Sequence, residues 1–388
     1  MSEPAHAPMG TGWPVREPGA GANHEPPPPP DLPSTARRRG WRGALAMLLL
    51  GLAAGGLISF GLTRYAGSGV TEIRVNDTPV KAGAAVAVDV AKRLAPAVAT
   101  IVATQASSTG LGSGFVIAHD SSASYLVTNN HVVQGATNLH VVMPDGQQFT
   151  AHLVGTDALD DIAVVSVPST SLPQATFGTS ARLSAGQSVI AIGSPLGNQG
   201  SVTVGVISAL HRTIQAGGEA GSSAETLEDV LQTDASINPG NSGGPLADTA
   251  GNVVGVNVAT AGNANSIGYS IPADLARYVA GTLIKHQKVQ HPFLGIKYLS
   301  SIDAIEAGSG FSGPGVFVKS VNAGTPAATG GFHAGDILVA INSVEIDNGQ
   351  TLGGLIQEHK VGDVVVCTVR RGGQTITLNA TLAERPGA

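Results

Sequence analysis

Apolar residues in most of this chain come in short bursts rather than at helical spacing. Between residues 88 and 285, runs of β-branched and other apolar residues recur between Gly, Asn, Asp and Pro. Val98–Ala103, Gly114–Ile117, Tyr125–Thr128, Leu139–Met143, Ile162–Val167, Ser188–Ile192, Val202–Ala209 and Val253–Val258 read as strands. That rhythm suits an antiparallel barrel or sandwich better than alternating strands and helices. The pattern then changes period. Leu275, Tyr278, Val279 and Leu283 fall on one helical face, so Asp274–His286 is predicted to be a helix with Asp274 near its start. A smaller module follows over residues 289–385. Pro292–Tyr298, Val316–Val321, Asp336–Ile341, Val364–Arg370 and Thr375–Ala380 read as strands, and Leu352–His359 as a short helix. Gly372-Gly373 between the last two strands is a hairpin signal.

The first 87 residues follow neither pattern. Residues 1–42 carry Pro26–Pro30 in a row and few large apolar groups, so a disordered, Pro-rich tail is expected. Arg37, Arg38, Arg39 and Arg42 precede the uncharged run Gly43–Leu62, which is 20 residues long. As a helix it would span about 30 Å, the thickness of a bilayer core. The arginines place the tail in the cytoplasm and everything beyond Leu62 outside. The run exceeds the ~7–15 residues of a signal peptide's apolar region and lacks a small-x-small cleavage site, so a retained transmembrane helix over residues 43–62 is expected. Residues 63–87, rich in Gly, Ala, Thr and Ser, read as a linker.

Composition narrows the function. A chain of 388 residues implies more than one domain, and 42% hydrophobic content is ample for a core. The 52 glycines point to many turns. A net charge of −6 argues against nucleic acid as a partner. The single cysteine, Cys367, excludes an intrachain disulfide and reads as a small buried hydrophobe.

The candidate chemistry centres on Gln232–Leu246, QTDASINPGNSGGPL, where turn-forming residues crowd around Ser242. A serine hydroxyl is a weak nucleophile until a base stands beside it and donors await the charge it creates. The backbone N–H groups of Gly240 and Ser242 are suited to that second role. A candidate base is His131, just past the strand Tyr125–Thr128. A carboxylate that could orient it opens the strand Asp-Ile-Ala-Val-Val at Asp161; Asp160 and Asp157 compete, and spacing does not choose among them. The histidines at 119, 140, 152 and 211 show no metal-ligand spacing, so no metal or other cofactor is expected.

Five segments carry a resemblance in the same order: GSGFVI at 112–117, TNNHVV at 128–133, DIAVV at 161–165, AIGSPLG at 191–197 and GNSGGPL at 240–246. They resemble the HtrA (high-temperature-requirement) family of chymotrypsin-like serine proteases. The resemblance implies an all-β-dominated fold: a double six-stranded β-barrel over residues 88–286, with the cleft between the barrels. It implies His131 as general base, Asp161 as its orienter, Ser242 as nucleophile, and an oxyanion hole at Gly240, Asn241 and Ser242. By similarity, Ser236, six before the nucleophile, lines the base of the primary pocket, and Ile267, Gly268, Tyr269, Ser270 and Ile271 form one wall. With no carboxylate at 236, a modest apolar side chain such as Val, Ala or Leu is expected there. Tyr269-Ser270 depart from the Phe-Ala pair usual in that loop.

The module at 289–385 resembles a PDZ domain, a small α+β fold. Phe293-Leu294-Gly295-Ile296 matches the loop that binds a peptide's terminal carboxylate, and GDILVAIN at 335–342 also fits. The implied protein is a membrane-anchored endopeptidase, its protease and PDZ domains on the outer side of a bacterial cytoplasmic membrane. It would form a trimer and act on unfolded, damaged or regulatory envelope polypeptides. PDZ occupancy would shift the loops Leu196–Gly200 or Ala216–Glu228. A holdase-type chaperone, or a PDZ scaffold on a silent protease fold, is the alternative.

Overall fold

Twelve strands fold into two barrels because most of them have a core to face on each side. A computed structural model describes residues 86–386, apart from 107, 195–199, 217–224, 259–266, 310, 312 and 347–350. The expected tail, membrane span and nearly all of the linker lie outside the described residues. Among those residues, no helix is long and apolar enough to cross a membrane.

The chain enters through helix α1 (Val86–Leu94), which the apolar pattern did not suggest, and which takes in the last two residues of the expected linker. Asp89 in its first turn and Lys92 and Arg93 in its last suit the helix dipole, and Val90 and Leu94, four apart, are its buried residues. A single 3₁₀ turn at Ala95–Ala97, with Pro96 inside it, ends the helix and leads into the first barrel.

The first barrel contains β1 (Val98–Thr104), β2 (Thr109–His119), β3 (Ser124–Thr128), β4 (Asn138–Val142), β5 (Gln148–Asp157) and β6 (Ile162–Val167). It closes in the order β1-β2-β3-β6-β5-β4, with β4 pairing back to β1. The second contains β7 (Ser188–Gly193), β8 (Ser201–Ala216), β9 (Glu225–Thr233), β10 (Pro245–Asp248), β11 (Val253–Val258) and β12 (Gly268–Pro272), closed as β10-β11-β12-β9-β8-β7. Side chains alternate along a strand. In β6, Ala163, Val165 and Val167 fill the first barrel, while Ile162 and Val164 face the core shared by the two barrels. In β7, Val189 and Ala191 fill the second barrel, while Ile190 and Ile192 join that shared core. Burial on both faces is why these strands read as continuous apolar runs. Helix α3 (Ala273–Ile284) caps the shared core, so close to β5 that a side chain at Gly155 would meet Leu283. A one-turn helix, α2 (Asn130–Val133), follows β3.

The C-terminal domain has its own core, with Leu294, Phe332, Leu338, Leu355, Val365 and Val369 among its members. Its main sheet runs β14-β15-β16-β18-β19: β14 (Ile296–Leu299), β15 (Val316–Val321), β16 (Ile337–Ile341), β18 (Val364–Arg371) and β19 (Gln374–Thr381), with β17 (Val344–Glu345) hairpinned onto β16. Three short helices complete it: α4 (Ser301–Glu306), α5 (Pro326–Thr329) and α6 (Leu352–Gln357). The single strand expected over Pro292–Tyr298 is two, because Gly295 takes φ 90° and breaks the run. Its first part, β13 (Pro292–Phe293), pairs instead with β20 (Ala383–Glu384) near the chain end. Cys367 is buried and free, its thiol pushed up to about 12 by burial.

Candidate active site

Strand β3 ends at Thr128, and Asn129 in extended conformation starts α2, which carries His131 in its single turn. Asp161 stands immediately before β6 at φ 50°, a left-handed conformation that costs energy for a residue with a Cβ. Four hydrogen bonds compensate for it. Its carbonyl accepts from Asn129 Nδ2 at 2.9 Å and from Asn130 N at 3.1 Å. Its carboxylate accepts from the backbone N–H of His131 at 2.9 Å and lies 2.8 Å from His131 Nδ1. A carboxylate only accepts, so the Nδ1 proton sits between them and Nε2 is left as the basic nitrogen. Asp161 is 1% exposed, while the imidazole is open to the cleft at 36%. Asp157 and Asp160, the two competitors, turn away from His131 and toward His291.

Ser242 sits on a loop clamped by the first barrel. Ser113 of β2 donates its N–H to the carbonyl of Ser242 at 2.7 Å and its hydroxyl to the carbonyl of Gly240 at 2.5 Å. The same hydroxyl accepts from the N–H of Ser194 at 2.8 Å. The glycines beside Ser242 make the approach possible. A Cβ on Gly243, which has φ 81°, would lie 2.2 Å from the Ser113 carbonyl, 2.4 Å from Thr128 Oγ1 and 3.1 Å from Asn129 N. A Cβ on Gly244 would lie 2.2 Å from the Ile192 carbonyl. Those contacts place the loop against the segment leading into His131, at the seam between the barrels. Asn238 to Asn241 form a turn closed by a 2.9 Å backbone bond, with Pro239-Gly240 at its centre and Gly240 at φ 101°. Glycine with positive φ after proline is the signature of a type II turn. The Gly240 N–H makes no hydrogen bond among the described residues. The role of Ser113 had a signal in the sequence, the GSGFVI segment, but nothing local said that its hydroxyl would reach residue 240.

The residues expected to line a pocket divide. Ser236 is exposed, and its carbonyl accepts from Thr203 Oγ1 at 2.9 Å and from Asn241 Nδ2 at 3.4 Å. Ile267 is exposed, and Gly268 packs so tightly on Ile237 that a Cβ there would lie 2.4 Å from its Cγ1. Ser270 is fully buried and donates to Asn257 Oδ1 at 3.0 Å. Tyr269 and Ile271, on the opposite face of β12, pack into the shared core.

A second concavity lies where the C-terminal domain meets the second barrel. Phe293, Gly295, Ile296 and Ile356 line it from one side, and Thr226 and Glu228 of β9 from the other. The Leu294 carbonyl accepts from Ala327 N at 2.8 Å and the Gly295 carbonyl from Asn322 N at 3.0 Å. Peptide planarity then turns the N–H groups of Gly295 and Ile296 the opposite way. Glu228 reaches into this groove: Tyr298 donates to its Oε1 at 3.4 Å, and a Cβ on Gly353 would lie 2.2 Å from its Oε2. Burial raises the Glu228 pKa, against the opposing pull of Arg385 and the Tyr298 hydroxyl.

At the edge of that groove His291 meets two buried acids, its Nε2 2.9 Å from Asp157 Oδ2 and 3.3 Å from Asp160 Oδ2. Burial alone would lower the His291 pKa. The hydrogen bonds and charges of the two aspartates outweigh it and carry the value up to about 10, so the ring is an imidazolium at neutral pH. Burial raises Asp160, with the Asp157 charge adding to it. Among the described residues these three are the group with metal-ligand spacing, and here the imidazolium serves as the cation. Sequence reading missed the cluster, because His291 and Asp157 are 134 positions apart.

Comparison with known proteins agrees with this geometry. The family described as trypsin-like peptidase domain matches residues 112–256, and that described as PDZ domain matches residues 292–382. Serine protease Do-like HtrB of Bacillus subtilis (strain 168) is 39% identical over 289 residues, covering 70% of this chain and 62% of that protein. This chain therefore spans less than two thirds of that relative's length. Among solved structures, the HtrA-type protease AlgW with tripeptide gives a TM-score of 0.61 at 35% identity, over 78% of this chain and 98% of that one. The serine endoprotease from Yersinia pestis gives a TM-score of 0.53 at 30% identity, over 80% of this chain and 100% of that one. On two matched domains, relatives identical at a third or more of aligned positions and near-complete coverage of a solved homologue, the chain belongs to the HtrA/DegP family of serine proteases, with a trypsin-like domain and one PDZ domain.

Proposed function

We propose that this protein is a serine endopeptidase in which Ser242 attacks the peptide carbonyl. His131 takes the hydroxyl proton on Nε2 and returns it to the leaving amine, and Asp161 fixes the tautomer and stabilises the imidazolium. The N–H groups of Gly240 and Ser242, on the turn that positions Asn241, would receive the oxyanion. Each such donor lowers the barrier by roughly 3–4 kcal/mol. The observation that carries the reading is the doubly bonded His131–Asp161 pair at the seam where the glycine-cradled Ser242 loop is clamped. Ser236, Ile267 and Gly268 would bound the pocket for the residue before the cleaved bond, which favours small apolar side chains. Ser270 would support that wall through Asn257, and Tyr269 and Ile271 would hold it from the core side.

The groove beside Phe293–Ile296 would take a polypeptide's C-terminus: its carboxylate on the outward N–H groups of Gly295 and Ile296, its chain added along β14. Unfolded or damaged envelope polypeptides are the proposed substrates, and a trimer the proposed assembly. Residues 43–62 would hold the protease and PDZ domains at the outer face of a bacterial cytoplasmic membrane. The test is cleavage of unfolded casein by the full chain beside Ser242→Ala, with labelling by a fluorophosphonate probe. Labelling and cleavage by the parent alone are expected. A parent that binds casein without cutting it, and takes no label, would mark a holdase or scaffold instead.

A further inference from the structure

The four residues 158–161 join β5, which ends at Asp157, to β6 and end in the carboxylate that orients His131. Little inside this turn holds it. Its internal bonds are long, Asp161 N to the Ala158 carbonyl at 3.4 Å and Leu159 N to Asp157 Oδ1 at 3.2 Å. Yet Asp161 stands at φ 50°, which persists only where the surroundings over-determine it. From one side Asn129, Asn130 and His131 supply that constraint. From the other side the counterpart is His291, which the sequence places one residue before the C-terminal domain's first strand.

We propose that His291 is a positioning residue for the reaction, clamping the Asp157–Asp160 turn from the C-terminal domain so that Asp161 stays aligned with His131. The inference rests on the serine-protease reading. Asp157 and Asp160 are each only 6% exposed, and one imidazole nitrogen serves both. Without it two buried carboxylates would face each other uncompensated, and they would separate or bind protons. Asp160 is one peptide unit from Asp161, so a shift of that carboxylate is passed to the next residue. A misplacement of about 1 Å in a catalytic constellation can cost on the order of 100-fold in rate. The clamp therefore makes catalytic alignment depend on the docking of the C-terminal domain.

Other charges act on His291 as well. Its N–H donates to Glu384 Oε1 at 3.4 Å, and its carbonyl accepts from Arg385 N at 2.9 Å. Lys288 lies 3.8 Å from that same Glu384 oxygen, and Glu228 of β9 lines the shared groove. The carboxylates outweigh the cations around the ring, which keeps it protonated until pH passes about 10.

The test compares the full-length parent, His291→Gln, His291→Arg and Ser242→Ala in steady-state casein cleavage, with thermal melts of each. His291→Gln should lower kcat about tenfold while KM changes less than about twofold, and His291→Arg, which keeps a cation and its donors, should restore most of the loss. The parent's kcat should decline as pH rises past about 10, and that of His291→Arg should not. Asp160→Asn provides a second, smaller drop should His291→Gln fail to fold. A folded His291→Gln with kcat at or above the parent's overturns the proposal, as does an arginine variant no better than glutamine. A parent that does not cleave, or a Ser242→Ala that does, sinks the protease reading itself and this proposal with it.

Discussion

Two of the junctions among the described residues, the seam between the barrels and the groove at the C-terminal domain, are held by different forces. The seam between the barrels is fixed by close uncharged contacts: the Ser113 carbonyl and hydroxyl against Gly240–Gly243. Few charges take part beyond His131 and Asp161. The groove at the C-terminal domain is fixed by side chains of unlike charge, with His291 holding Asp157 and Asp160 of the first barrel and with Glu228 of the second near Arg385. Close-packed backbone tolerates almost no displacement. A contact made of desolvated charges is a small difference between large opposing terms, so modest changes in pH, charge or ligand shift it. The first cleft is built for fixed geometry and the second for adjustment.

The comparison breaks most sharply at Asp161. Asp161→Asn keeps the shape but leaves His131 with the wrong tautomer, so kcat should fall on the order of 10⁴-fold with KM nearly unchanged. A loss below about tenfold would mean that another carboxylate orients the imidazole. Ser113→Ala comes next. It removes the donor to the Gly240 carbonyl and the acceptor of the Ser194 N–H, both buried. Leaving such groups unpaired costs about 1–3 kcal/mol, to be read as a lower urea midpoint, and loosening the turn proposed to receive the oxyanion should lower kcat about tenfold or more. Unchanged kcat in a folded Ser113→Ala would show that the turn holds without its clamp.

How much of this was legible in the sequence follows the same division. Strands buried on both faces, such as Ile162–Val167 and Val253–Val258, were visible with their ends intact. Strands β5, β9, β10 and β12 were not read as strands. In β5, QFTAHLVGTD, two residues of ten are buried, and in β9, ETLEDVLQT, acidic residues interrupt the apolar ones. Helix α1 was missed because it is only nine residues long and follows directly on a Gly/Ala-rich stretch. His131 and Ser242 announced themselves by their local context. The choice of Asp161 over Asp157 and Asp160 depended on backbone twist, since only its left-handed φ brings carboxylate and carbonyl together onto the His131 turn. The acid–histidine cluster and the Glu228 contact are wholly tertiary and leave no mark in spacing.

The smallest expected effect is the most discriminating for the second cleft. Glu228 projects between Tyr298 and Gly353, in the groove proposed to take the peptide strand. Burial raises its pKa above the ordinary 4.5, with the charges of Asp160 and Asp229 adding to the rise, so the fold favours the neutral side chain. A raised acid stabilises the fold fully below its ordinary value and loses that contribution as pH climbs through the folded value. The ionised carboxylate is thus the less comfortable occupant of that space, and the neutral one the better seated. Two substitutions should therefore act in opposite directions. Glu228→Ala empties the space and should tighten binding of a peptide with a free C-terminal carboxylate by a few-fold, about 0.5–1 kcal/mol. Glu228→Gln keeps the shape and the Tyr298 partner without the charge, seats better, and should weaken that binding by a similar factor. Fluorescence anisotropy of a labelled peptide reads both. Shifts in the same direction would show that Glu228 acts on the peptide by its charge alone and does not fill the groove.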